Sequence, residues 1–169
     1  MLRCLLALCL LYLSQASPVA ESGTTDRRVP ETCPITKPSD HLFVPPSPYR
    51  AWLSSSRVFW YGTDRFWSFL PTDGIWPLGE KTFWFRQEWV RYDGPDKWIP
   101  QKDASQLRVT ARRLDGPAPS AEILKANSSY TDDWKGFLVG GINFPTPGCW
   151  EISGKYEDDE LTYVEWVVK

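Results

Sequence analysis

An all-β sandwich or partly closed barrel is the fold class this sequence predicts, and three observations predict it. Strand-like runs of aromatic and β-branched residues recur along the chain, separated by turns rich in proline and glycine. Residues 107–114 alternate cleanly, with Leu107, Val109 and Ala111 against Arg108, Thr110 and Arg112, which is the period of a half-buried strand. No stretch as long as a dozen residues keeps helical spacing. Together these give one domain of about seven to nine short strands with loops rich in proline and tryptophan.

In chain order, residues 1–16 have a basic start at Arg3, an apolar run from Cys4 to Leu13 and the ending Ser14-Gln15-Ala16. This is the pattern of a secretory signal peptide with a small-x-small cleavage site. The run is too short for a helix to cross a bilayer, so no stable membrane span is expected. Leu6-Ala7-Leu8 before Cys9 do not fit a lipid-attachment site. Residues 17–31 mix proline, serine, threonine and glycine with charges of both signs and read as a disordered leader. The domain proper is residues 32–169, and its expected location is secreted or extracytoplasmic, in a periplasm or at a cell surface.

Of the four cysteines, Cys4 and Cys9 leave with the signal. Cys33 and Cys149 remain, and in an oxidising compartment a pair is most simply a disulfide. Two cysteines without neighbouring histidines make a poor zinc site, and a catalytic cysteine lacks a partner base, since the sole histidine is His41.

Residues 33–48 hold Pro34, Pro38, Pro45, Pro46 and Pro48 around Leu42-Phe43-Val44 and suit an edge strand or a strap laid over the sandwich. Strands are then predicted over 57–61, 82–86, 107–114, 121–126 and 135–144. Residues 64–70 fit one helical turn or a short strand, and 87–92 fit an extension of the strand at Phe83. Gly140-Gly141 marks a bulge or a close backbone approach. Pro145-Thr146-Pro147-Gly148 is a corner into a closing hairpin. In its first arm Trp150, Ile152 and Tyr156 share one face. In its second arm, Leu161 to Val168, both alternate sets favour strand, so that arm is expected to be covered on both faces.

That ending, PTPGCWEISGKY followed by LTYVEWV, is similar to the last hairpin of many immunoglobulin-like domains. Together with FWYGTD at 59–64, FWFRQEW at 83–89 and RRLDGPAP at 112–119, it resembles a group of uncharacterised secreted proteins and lipoproteins of bacteria. The resemblance spans most of the domain and implies an immunoglobulin-like β-sandwich and an extracytoplasmic location; it carries over no site. At Glu165 an apolar residue is expected, which makes this carboxylate either an exposed edge position or a buried group in need of a partner.

Composition narrows function further. A net charge of −2 does not favour nucleic acid or an anionic membrane. Ten tryptophans exceed what one core of this size holds, so several are expected to be partly exposed. Trp60, Trp84, Trp150 and Trp166 are assigned to the core. Trp67, Trp76, Trp89 and Trp98 are the candidate binding residues, on connections 64–80 and 89–100. The plainer reading is that Trp and Pro stack to close loops.

Glu157-Asp158-Asp159-Glu160 reads as a solvated turn, because calcium needs six or more converging oxygens. Asp64, Asp73 and Glu88 make a glycosidase pair only if a cleft sets their separation. Arg112 and Arg113 beside Asp115 read as an ion-pair cluster on a wet face. Asn127-Ser128-Ser129 is a glycosylation sequon. No cofactor, catalytic constellation or oligomeric state is legible. Two function classes stay open: a non-catalytic module binding a glycan, cell-wall polymer or protein through loop aromatics, and a small hydrolase or inhibitor whose site carries no recognisable motif.

Overall fold

The computed structural model describes residues 28–41, 43–46, 49, 57–86, 90–92, 98–100, 103–131 and 135–169, with the backbone alone at 90–92, 98–100, 129–131 and 135–138. Residues 1–27, which hold the expected signal peptide and most of the expected leader, and Trp52, Trp89 and Trp134 lie outside the described residues. The strands are β1 (Val58–Gly62), β2 (Trp67–Pro71), β3 (Ile75–Pro77), β4 (Lys81–Trp84), β5 (Val90–Tyr92), β6 (Trp98–Pro100), β7 (Arg108–Arg113), β8 (Glu122–Ile123), β9 (Asn127–Thr131), β10 (Lys135–Asn143), β11 (Gly148–Tyr156) and β12 (Asp159–Val168). One 3-10 turn at Ala104–Gln106 is capped by the Asp103 carboxylate. Among the described residues no helix is long and apolar enough to cross a membrane.

The fold is all-β, and two sheets pack in a sandwich-like arrangement. The first sheet runs in the order β3-β12-β11-β7. Its centre is the β11–β12 hairpin, antiparallel from Gly148↔Val167 to Tyr156↔Asp159. The second sheet has β10 at its centre, paired with β4, β8 and β9. The β1–β2 hairpin joins it through a bridge in which Trp67 and Phe85 exchange both backbone hydrogen bonds, at 3.1 and 2.8 Å. β5 and β6 form a separate pair.

Trp84 from the second sheet, Trp150, Ile152, Tyr163 and Val167 from the first, and Ile142 from β10 make the core between the sheets. Gly154 sits in β11 because the Trp84 ring lies directly on its backbone: a Cβ built there overlaps the ring. The alternation in β7 is observed as predicted, with Leu107 and Val109 buried, Ala111 half-buried, and Arg108, Thr110 and Arg112 exposed. Cys33 and Cys149 are bonded, with Cα atoms 5.6 Å apart and a separation of 116 positions in sequence. The strap also pairs with β12, Thr36 N–H donating to Val164 O and Val164 N–H to Thr36 Oγ1, both at 2.9 Å. Half-buried Val164 and Trp166 and buried Val168 line the outer face of β12 near this cover.

Several expectations are corrected. The described residues hold more strands than the seven to nine expected, because short ones such as β3 and β6 lack a visible period. Residues 64–70 resolve into a turn and β2, and residues 121–126 shorten to β8. Residues 90–92 are not an extension of β4 but pair with β6. Gly140 and Gly141 make no bulge, since the β10–β4 register runs unbroken through them. They are close approaches, a Cβ at either one standing 2.9 Å from Thr82 Oγ1 or Leu124 Cδ1.

The acidic hairpin tip is more than a solvated turn. Glu157 and Asp159 hold the buried Arg86 guanidinium at 2.9 and 3.3 Å, and Arg86 also lies over the Tyr156 ring. Asp159 is paired with Arg65 as well.

Candidate functional site

The expected exposure of Trp67 and Trp76 is not observed: the two residues are 0% and 6% exposed. For Trp67 the reason is a second aromatic core on the far face of the β1–β2–β4 layer, where Tyr49, Trp60, Trp67 and Phe85 are buried together, whereas Trp76 belongs to the main core. Tyr49 meets Trp67 edge-on at 5.1 Å, Trp60 meets Phe85 edge-on at 5.2 Å, and Phe43 of the strap packs at 6.1 Å from Trp67. Such tilted pairs place positive ring edges on negative faces, so a layer with aromatic residues on both sides uses both. Trp60, Trp84 and Trp150 are core as expected, and Trp166 is half-buried. Trp98 lies in β6, where the backbone alone is described; Trp89 lies outside the described residues.

Trp76 takes a different place. Its strand leaves the second sheet after β2, joins the first sheet beside β12 in parallel, and returns to the second sheet as β4. The corner before it is locked by Thr72 N–H donating to Arg57 O at 2.8 Å, by Asp73 Oδ1 accepting from Ile75 N–H at 3.1 Å, and by Gly74 at φ 66°. Only a residue without Cβ fits at Gly74, because Ile35 of the strap packs against it. Leu78 N–H then donates to Val168 O at 2.8 Å, and Gly79 at φ 85° turns the chain into β4.

This crossover leaves a groove of about 180 Å³ at the side of the sandwich. Its walls are Val58, Phe69, Ile75, Trp76 and Phe83, with the Phe69 and Phe83 rings stacked at 4.9 Å. Glu80 and Lys81 supply its charged groups. The predicted binding connection 64–80 therefore contributes to a concave site, with Trp76 as a wall of it and not as an exposed platform.

Behind Trp76 lies a buried acid. Val167 is the β12 partner of Trp76, and Glu165 precedes it on the same inward face, beside Tyr163. Glu165 is 0% exposed, and neither carboxylate oxygen has a hydrogen-bond partner among the described residues; the Tyr163 hydroxyl and the Trp76 indole N–H are in the same condition. Burial, and then the charge of Asp73, push the Glu165 carboxyl from its ordinary 4.5 up to about 9. Burial also pushes the Tyr163 phenol well upward. At neutral pH Glu165 is thus an uncharged acid. It does not line the groove, and Asp64 and Asp73 are exposed on turns. Glu88 lies outside the described residues. Among the described residues no group of three or more His, Cys, Asp or Glu is placed to hold a metal ion.

The described geometry thus defines an all-β sandwich with an apolar groove beside Trp76 and a buried neutral acid behind it. The chain matches no family model, no curated protein and no solved structure.

Proposed function

We propose that this chain is a secreted, non-catalytic β-sandwich module of immunoglobulin-like type that grips an apolar side chain of a protein partner in the Trp76 groove. The observation that carries this is the composition of the groove walls: three aromatic rings, two aliphatic side chains and the prolines Pro71 and Pro77. At about 180 Å³ it is smaller than the roughly 300 Å³ at which sites for whole small molecules begin, and it matches one side chain or ring. A sugar ring brings hydroxyls on nearly every carbon, and apolar walls leave those without partners, at a cost of about 1–3 kcal/mol each. A leucyl or prolyl side chain carries no such cost. The disulfide between Cys33 and Cys149 fits an oxidising compartment.

The test is a nuclear magnetic resonance titration of the folded domain with N-acetyl-prolyl-leucinamide and, separately, with chitohexaose. The peptide is expected to shift the Val58 and Ile75 methyls and the Trp76 indole N–H, and a groove-filling Val58→Phe substitution is expected to remove those shifts. Shifts produced by chitohexaose alone assign the groove to a sugar ring. Silence with both probes refutes binding there.

A further inference from the structure

The opposite edge of the first sheet carries a second and independent feature. β7 ends the sheet order, paired on one side with β11. Leu114 N–H donates to Cys149 O at 2.8 Å, which sets the alternation of the ladder: Arg112, Thr110 and Arg108 turn their backbone groups toward β11. The N–H and C=O groups of Val109 and Ala111 therefore face outward, and among the described residues no strand pairs with them.

Facing this edge across the side of the sandwich is β8, an edge strand of two residues paired with β10 alone. The space between the two is a groove of about 350 Å³ lined by Leu107, Val109, Ile123 and Leu124. Ile123 and Leu124 are 36% and 44% exposed, an adjacent pair of large apolar side chains at an open flank. The charged residues lining it are both cations, Arg108 and Lys125. Neither makes an ion pair among the described residues, although Arg108 donates to Ser105 O. Of the nearby acids, Asp103 accepts from Ser105 N–H at 2.9 Å and feels the Lys125 charge at longer range than an ion pair, and Glu122 accepts from Asn143 Nδ2 at 2.8 Å.

We propose that this flank is a docking site for an extended acidic segment of a protein partner, which adds a strand to β7. Its backbone pairs with Val109 and Ala111, its apolar side chains enter the groove against Ile123 and Leu124, and its carboxylates meet Arg108 and Lys125. A free strand edge supplies sequence-independent hydrogen bonds, while alternate side chains select the partner. The two unpaired cations decide its sign. A second copy of this chain fits poorly, because pairing β7 with itself antiparallel sets the rows of Arg108 and Arg112 against each other.

The experiment uses three fluorescein-labelled capped heptapeptides: Glu-Val-Thr-Val-Glu-Ile-Glu, the same sequence with lysine for each glutamate, and the acidic one with alternate backbone nitrogens methylated. Anisotropy at low salt is read on the disulfide-bonded domain. The acidic peptide is expected to bind about tenfold or more tightly than the lysine peptide. Methylation of the edge-facing nitrogens is expected to abolish binding. The double substitution Arg108→Glu with Lys125→Glu, both on exposed side chains, is expected to reverse the preference while circular dichroism stays unchanged. Leu124→Asp gives a second readout, loss of the acidic peptide without reversal.

Equal affinity for the two charge types, insensitivity to methylation, or no binding of the acidic peptide overturns the proposal. So does a concentration-dependent dimer abolished by the double substitution, which assigns the edge to self-association. The Val58→Phe variant separates this site from the Trp76 groove, because it leaves peptide binding at β7 intact.

Discussion

Glu165 makes the stability of this domain fall with rising pH, and replacing it with glutamine removes that dependence. Its folded value of about 9 stands above the ordinary 4.5 of a glutamate. Below the ordinary value both folded and unfolded chains hold the proton, and burial of the neutral acid costs no charge desolvation. Between the two values the unfolded chain has released the proton while the folded chain retains it, so the unfolded state gains free energy at about 1.4 kcal/mol per pH unit. At pH 7 the penalty is about 3 kcal/mol, and between pH 5 and pH 8 it grows by about 4 kcal/mol, order-of-magnitude figures for so buried a group.

The assay is guanidinium unfolding of wild type and Glu165→Gln at pH 5, 7 and 8 with the disulfide intact. The wild type is expected to lose several kcal/mol relative to the variant on going from pH 5 to pH 8. The lowered carboxyl of Asp115, held by its hydrogen bond from Arg113, works in the opposite direction and at lower pH, and it is common to both proteins. Parallel pH profiles for the two proteins refute the reasoning. They mean either that water reaches Glu165 or that an ionised Glu165 finds a cation.

Two further outcomes are expected. Replacing Cys33 and Cys149 together with alanine costs about 4 to 5 kcal/mol on the chain-entropy account, given their separation of 116 positions; equal denaturant midpoints with and without reductant contradict this. Gly154→Ala places a methyl in the Trp84 ring and costs about 1 to 3 kcal/mol, visible as a lower melting temperature; an unchanged melting temperature means that the two sheets stand further apart than the structure has them.

The features legible in the sequence are those that a local period carries. The faces of β7 and β11 follow from alternation, because adjacent Cβ atoms on a strand point to opposite sides. The same parity puts Glu165 with Leu161, Tyr163 and Val167, all buried on the inner face of β12. That its oxygens find no partner depends on what Trp150 and β3 bring against it, and no spacing along β12 encodes that. Trp67 and Trp76 failed as exposure markers for a related reason. β1 and β4 carry aromatic residues on both faces, and β2 sets Trp67 and Phe69 against Leu70, so alternation cannot say which face is covered, and Trp67 is buried only because Tyr49 and the strap residue Phe43 come from elsewhere in the chain to meet it.

By itself, then, the sequence determined the all-β class, the pairing of the closing hairpin, the disulfide partners and the wet face of β7, since each rests on neighbours along the chain or on a pair of cysteines with no rival. Tertiary structure alone decided the two grooves. The first exists because three residues of β3 cross to the other sheet and run parallel to β12, a pairing between distant segments that a three-residue strand is too short to announce. The second exists because β7 ends the first sheet while β8, paired with β10 alone, ends after two residues on the facing sheet, and the end of a ladder is a property of two chain segments in space, not of either one read alone.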